Sequence, residues 1–194
     1  MKNVKTLFAA LFVVASVSGA SAAQKITGDI SPLKGQKEVN VVLDFTGVVV
    51  DGKTEDNYIA DETKDKTADE KTQWLSQWAD MRSGATTALI KAVNDKTSEK
   101  LFAAGEYTSA AYTILVNVKE IKPGFFGGII TRPSAVRADV SFVKTGETAP
   151  FATAEFKNSS DVKSQVVPYF VTRIVMSFSE LGDDIGDAIL KALK

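Results

Sequence analysis

The sequence predicts an α+β domain, an antiparallel sheet of four or more strands with two main helices packed on one face, in the order β-α-β-β-β-α. Two observations carry this expectation. Period-two alternation marks four segments as strands, and apolar stripes at three- and four-residue steps mark two long segments as helices. Composition agrees, since the 194 residues are 44% hydrophobic and 24% charged, which suits a single domain with a full core.

The first strand begins at Glu38, where Val39, Val41, Leu43 and Phe45 fall on one face. Gly47 interrupts the alternation as a bulge or bend, and Asp51-Gly52 closes the segment as a turn. Gly28 to Gln36, with Pro32 and Gly35, reads as a surface lead-in. Residues 51–70 crowd acidic side chains around the single apolar pair Tyr58-Ile59, too little apolar surface for independent folding, and so predict a long polar loop.

Thr67-Ala68-Asp69-Glu70 has the form of a capping box and opens the first helix. Trp74, Trp78, Met81, Ala85, Ala88, Leu89 and Ala92 then form one stripe on a helix from Ala68 to about Asn94, with Ser83-Gly84 as a point where it can kink. After Phe102 the pattern turns to strands. Tyr112, Ile114, Val116 and Val118 alternate with polar residues, and Val136, Ala138, Val140 and Phe142 do the same. Lys144-Thr145-Gly146-Glu147 turns the chain into Ala149–Phe156, which completes an antiparallel meander.

The last stripe, Val167, Phe170, Ile174, Phe178, Leu181, Ile185 and Ile189, predicts a long amphipathic helix starting near Ser164, with Pro168 in its first turn. Gly182-Asp183-Asp184 is expected to break it, leaving a second helix over Ile185–Leu193 capped by Asp183 or Asp184.

Ahead of all this, Lys2 and Lys5 precede the apolar run Leu7–Val17, and small residues follow to Ala23, the order of a secretory signal. The domain expectation is therefore a cleaved signal peptide at 1–22 and one α+β domain at 23–194. Ala20 and Ala22 fit cleavage before Ala23, with cleavage before Gln24 as the alternative. Loss of Lys2 and Lys5 takes Lys+Arg from 23 to 21 against 24 Asp+Glu, a net charge of −3. The expected location is outside the cytoplasm, periplasmic or extracellular, with no transmembrane anchor after processing. Scattered basic residues and the acidic balance argue against a nucleic-acid partner.

The chain has no histidine and no cysteine, which removes Ser-His and Cys-His nucleophiles, thiolate chemistry, disulfides and most zinc or copper sites. No phosphate-binding glycine motif occurs, and no cofactor or metal is expected. Carboxylate chemistry remains open. Asp183, Asp184 and Asp187 form one acidic cluster, and Asp51, Glu55, Asp56, Asp61 and Glu62 another, without the order of a calcium loop. The plainer account of the first is helix capping and of the second a solvated charge run. Trp74 and Trp78 fit the core better than a sugar-stacking site.

Between the first two strands of the meander lies Pro123-Gly124-Phe125-Phe126-Gly127-Gly128-Ile129-Ile130, an apolar, glycine-rich loop that either leaves hydrophobic rings near the surface or folds back over the sheet's edge or open face. Phe125, Phe126, Ile129 and Arg132 are the candidate partner-binding residues, with Arg137 nearby.

The segments Gly28–Val41, Tyr112–Val116 and Gly182–Asp187 resemble an uncharacterised family of small secreted proteins of Bacteroides-type bacteria. The layout is similar to envelope domains such as the lipoprotein activators of penicillin-binding proteins and the N-terminal domain of the TolB translocation protein. The resemblance implies an envelope domain and carries over no catalytic residue; the chain lacks the lipobox cysteine of the lipoprotein activators. The functional expectation is an exported, non-enzymatic domain that binds a cell-envelope protein or peptidoglycan-associated factor through the Phe125–Ile130 segment or a sheet edge. Two other classes stay open: a carboxylate-dependent hydrolase or glycan-active enzyme, and a carrier of a small apolar ligand. Oligomeric state is not readable from the sequence.

Overall fold

The computed structural model describes residues 25–194, so the expected signal peptide and its cleavage point lie outside the described residues. In chain order the elements are β1 (Thr27–Gly28), β2 (Glu38–Asp44), β3 (Val49–Val50), β4 (Lys53–Thr54), α1 (Glu55–Thr63), α2 (Ala68–Thr97), β5 (Ala103–Gly105), β6 (Tyr112–Lys122), β7 (Phe125–Gly127), β8 (Ile130–Arg132), β9 (Ala135–Lys144), β10 (Pro150–Ser159) and α3 (Phe170–Ala192). Short 3-10 turns cover Ser31–Leu33 and Val162–Val166.

The main sheet runs β1-β10-β9-β6-β2-β5, with the β3–β4 hairpin paired to the far end of β6. Its backbone is the expected meander. β6 pairs antiparallel with β9, and β9 with β10, and in each strand alternate residues are buried: Ile114, Val116 and Val118; Ala138, Val140 and Phe142; Ala152, Ala154 and Phe156. The opposite face carries Arg137, Asp139, Ser141, Thr153 and Glu155 toward solvent. The α+β class therefore holds, but the sheet is mixed. β2 lies parallel to both β6 and β5, because the chain leaves β2 and returns through a helical crossover that restores its direction.

Three local expectations change in the structure. Residues 55–63 are helical, not loop. Thr54 caps α1 by accepting from the Asn57 amide, and Tyr58 tucks its ring against Trp74 and Trp78 at centroid separations of 6.2 and 5.4 Å. A nine-residue helix is marginal alone, and this one is ordered by the rings it covers. The second change is that α2 runs unbroken through Ser83-Gly84, because Val175 of α3 fills the space a side chain at Gly84 would need. Its capping box forms as expected: Glu70 accepts from the Thr67 amide at 2.8 Å, and the Thr67 hydroxyl receives the Glu70 amide.

The third change is that α3 is one helix across Gly182-Asp183-Asp184. Pro168 sits just before it, with Tyr169 at the cap position. Gly182 is where α3 crosses α2: a Cβ there would stand 2.5 Å from the Leu89 carbonyl oxygen and 2.7 Å from the Ala92 methyl. The glycine marks close packing, not a break. Both helices lie over the buried face of the sheet, and Met81, Leu89, Phe142, Phe156, Phe178, Leu181 and Ile185 fill the layer between, each less than 2% exposed.

One sheet edge is closed by a side chain, the other covered only in part. At β5 the Asn94 side chain takes the place of a neighbouring strand: its Oδ1 accepts from the Ala104 amide at 2.7 Å and its amide nitrogen donates to the Ala104 carbonyl. At the other edge β1 pairs with β10 at Thr153 and Ala152.

Candidate functional site

The segment between β6 and β9 folds as a separate two-stranded hairpin. β6 ends at Lys122, and Pro123, which has no amide hydrogen, stops the pairing with β9. Gly124 then turns the chain with φ +70°, and it passes so near the returning strand that a Cβ would lie 2.6 Å from the Arg132 carbonyl oxygen. Phe125, Phe126 and Gly127 pair with Arg132, Thr131 and Ile130 in antiparallel register. The connection is two residues, Gly128-Ile129, with Gly128 at φ +76° in the first turn position, where a type II′ turn calls for glycine.

All four apolar side chains of this hairpin face water. Phe125 is 48% exposed, Phe126 40%, Ile130 67%, and Ile129 at the tip is fully exposed. Phe125 and Arg132 stand opposite one another near the base, so the four sequence-predicted partner residues do share one element. Val166 and Tyr169, also exposed, lie in the adjoining segment between β10 and α3, which packs against both hairpin strands. Five of the eight large hydrophobic side chains left exposed among the described residues, the four of the hairpin and Val166, thus lie on the hairpin or the turn packed against it, while Tyr169 lines a groove with Gln77 and Asp80 of α2.

The base of the hairpin is held by residues that periodicity does not single out. Arg173, only 6% exposed, donates from Nε to the Pro123 carbonyl at 3.1 Å and from Nη1 to the carbonyls of Val167 and Pro168 at 2.9 and 2.7 Å. Burial pushes its pKa down from the usual guanidinium range. Beside it the fully buried Ser134 donates its hydroxyl to the Lys122 carbonyl and its amide to the Ser164 hydroxyl, both at 2.9 Å, while the Ser160 hydroxyl donates to the Ser134 carbonyl at 2.7 Å. A Ser-Arg network tied to main-chain carbonyls leaves no hydrophobic signature, and the only sequence signal is an arginine inside an otherwise apolar helical stripe.

Between the hairpin and α1 lies a cleft of about 320 Å³ lined by Asp51, Tyr58, Glu62, Lys122, Phe125 and Arg132. Carboxylates stand on its α1 side and cations on its hairpin side. Burial raises the Tyr58 hydroxyl well above the ordinary phenol range, with Glu62 and Asp51 adding to the shift.

The candidate carboxylates are dispersed among structural contacts. Asp183 and Asp187 both reach Lys96 on α2, at 3.6 and 3.2 Å, while Asp184 accepts from the Ser159 hydroxyl at 2.7 Å. Asp61 pairs with Lys53 at 2.8 Å, and Glu55 accepts from the Trp78 indole at 2.7 Å and binds Arg82. Among the described residues no three Asp or Glu side chains converge to hold a metal ion. Trp74 and Trp78 are core, stacked on one another at 5.5 Å with Phe170 beside Trp74 at 5.6 Å. Among the described residues no helix is long and apolar enough to cross a membrane.

No protein-family model matches the chain, and no curated protein matches it. Solved structures similar to it include the PelC dodecamer from Paraburkholderia phytofirmans, at TM-score 0.42 and 10% identity over 83% of this chain and 96% of that one. A single-substitution variant of that dodecamer gives TM-score 0.41 and 9% identity over 84% and 95%. Neither belongs to the Bacteroides-type family or is one of the envelope domains expected from the sequence.

Proposed function

We propose that this is an exported, non-enzymatic domain, periplasmic or extracellular, that works by binding another component of the cell envelope through the β7–β8 hairpin. The observation that carries the reading is the hairpin itself: four apolar side chains held in water on a ribbon whose base is clamped by Arg173 and Ser134. A soluble protein gains nothing from ordering such a surface unless something covers it. The N-terminal Lys-apolar-small sequence supports export. Asp183, Asp187, Asp184, Asp61 and Glu55 are engaged with Lys96, Ser159, Lys53 and Trp78, contacts that tie elements together, while Asp51 and Glu62 line the cleft between the hairpin and α1.

A photo-crosslinking residue placed at position 129 tests the reading in native cells, with a second probe at Thr153 on the open face of the sheet as the control. Crosslinks specific to position 129, lost when Phe125 and Phe126 are both changed to Ser while the thermal unfolding curve stays put, are expected. Equal crosslinking with and without the two rings would overturn the assignment of the site.

A further inference from the structure

Resting on that reading of the hairpin, we infer that its occupant is the interfacial region of an anionic phospholipid bilayer, into which the tip inserts while the body of the domain stays in water. Shape is the first argument. A three-residue strand at about 3.3 Å per residue projects roughly 10 Å from the base, which matches the roughly 5–10 Å to which interfacial elements sink between headgroups and acyl chains. Ile129, fully exposed on a two-residue turn, is at the leading point, with Ile130 and Phe126 directly behind it.

Charge is the second. Residues 122–133 contain two cations, Lys122 and Arg132, and no carboxylate. Both cations sit at the foot of the hairpin, Lys122 just before it and Arg132 opposite Phe125, so they fall at headgroup depth when the tip is buried. Lys163, exposed on the turn that packs against both strands, is a third cation near the hairpin, on a turn capped by Asp161. Of the acidic groups at this end, Asp51 and Glu62 line the α1 side of the cleft, Glu120 on β6 lies 3.7 Å from Lys122, and Asp161 caps the turn that carries Lys163; none lies on the hairpin itself.

Area is the third. The four hairpin side chains offer on the order of 400 Å² of apolar surface, about half of the ~800 Å² per partner of a stable protein interface. That is too small for a tight protein contact and sufficient for reversible insertion assisted by charge.

The test is cosedimentation of the exported protein, its N-terminus verified by mass, with vesicles of phosphatidylglycerol and phosphatidylethanolamine or of phosphatidylcholine alone. Binding to the anionic vesicles is expected, weakening with added salt, and at least tenfold weaker for Ile129→Ser or Phe126→Ser at unchanged Tm. Lys122→Ser together with Arg132→Ser should lose several-fold on anionic vesicles and nothing on phosphatidylcholine. Binding that survives the tip substitutions overturns the inference. If no vesicle binds while a position-129 crosslink to a protein persists in cells, the bilayer is the wrong occupant and the hairpin reading stands. If neither is seen, both fall.

Discussion

Arg173 on α3 donates its Nε hydrogen to the carbonyl oxygen of Pro123, 3.1 Å away and 50 residues earlier in the chain. The same guanidinium holds the carbonyls of Val167 and Pro168, so one buried cation fastens the foot of the β7–β8 hairpin to the start of the last helix. Substitution to Met keeps the bulk and removes the donors, leaving three carbonyls without their partner. Arg173→Met is expected to cost about 2–4 kcal/mol in denaturant unfolding. Hydrogen exchange should show the amides of 125–132 losing protection before those of the main sheet.

Gly182 makes the α2–α3 crossing possible. Alanine is a better helix former by about 1 kcal/mol, but its methyl would meet the Leu89 carbonyl and the Ala92 methyl inside contact distance. Gly182→Ala is therefore expected to destabilise by about 1–2 kcal/mol net, against the direction of helix propensity. At Gly186 the obstacle is the Lys96 side chain, not backbone, so Gly186→Ala should cost less. Paired chemical denaturation curves check the ranking.

Asn94→Ala removes both bonds that close the β5 edge at Ala104. A loss of about 2 kcal/mol is expected, together with light scattering on heating that the parent protein does not show, because an uncovered edge strand pairs with other chains. Unchanged stability and clear solutions on heating would mean that Asn94 does not guard the edge.

Glu180 has its pKa raised, first by burial and then by Asp184, Asp183 and Asp161, with Lys96 opposing. The folded state therefore holds this proton more tightly than the unfolded chain, whose value is 4.5. Stability contributed by the group is present below pH 4.5 and is lost as pH rises through the folded pKa. Glu180→Gln should accordingly raise Tm at pH 7 and leave it nearly unchanged below pH 4, which calorimetry across that range measures.

Much of the fold is written in local pattern. The meander, α2 with its capping box, and the stripe of α3 follow from side-chain periodicity, because one face of each element must leave water. The Phe125–Ile130 segment stands out as apolar rings among glycines, but that pattern reads as a loop; its pairing into a hairpin and its exposure come from the tertiary structure. α1 was hidden because its order comes from Tyr58 meeting Trp74 and Trp78, residues that lie beyond the segment. Gly182 read as a breaker because propensity describes a helix in water, and this one is pressed against another.

The sequence by itself determined the α+β class, the strands of the meander and the absence of histidine and cysteine chemistry. Only the tertiary structure decided that β2 joins the sheet parallel, that 55–63 is helix, that α3 is continuous, and that Arg173 and Ser134 anchor the hairpin. The physical reason is range. Periodicity records how a residue relates to the next turn or the next pleat, whereas register, crossing points and hydrogen bonds such as that of Arg173 to Pro123 are settled between segments far apart in the chain.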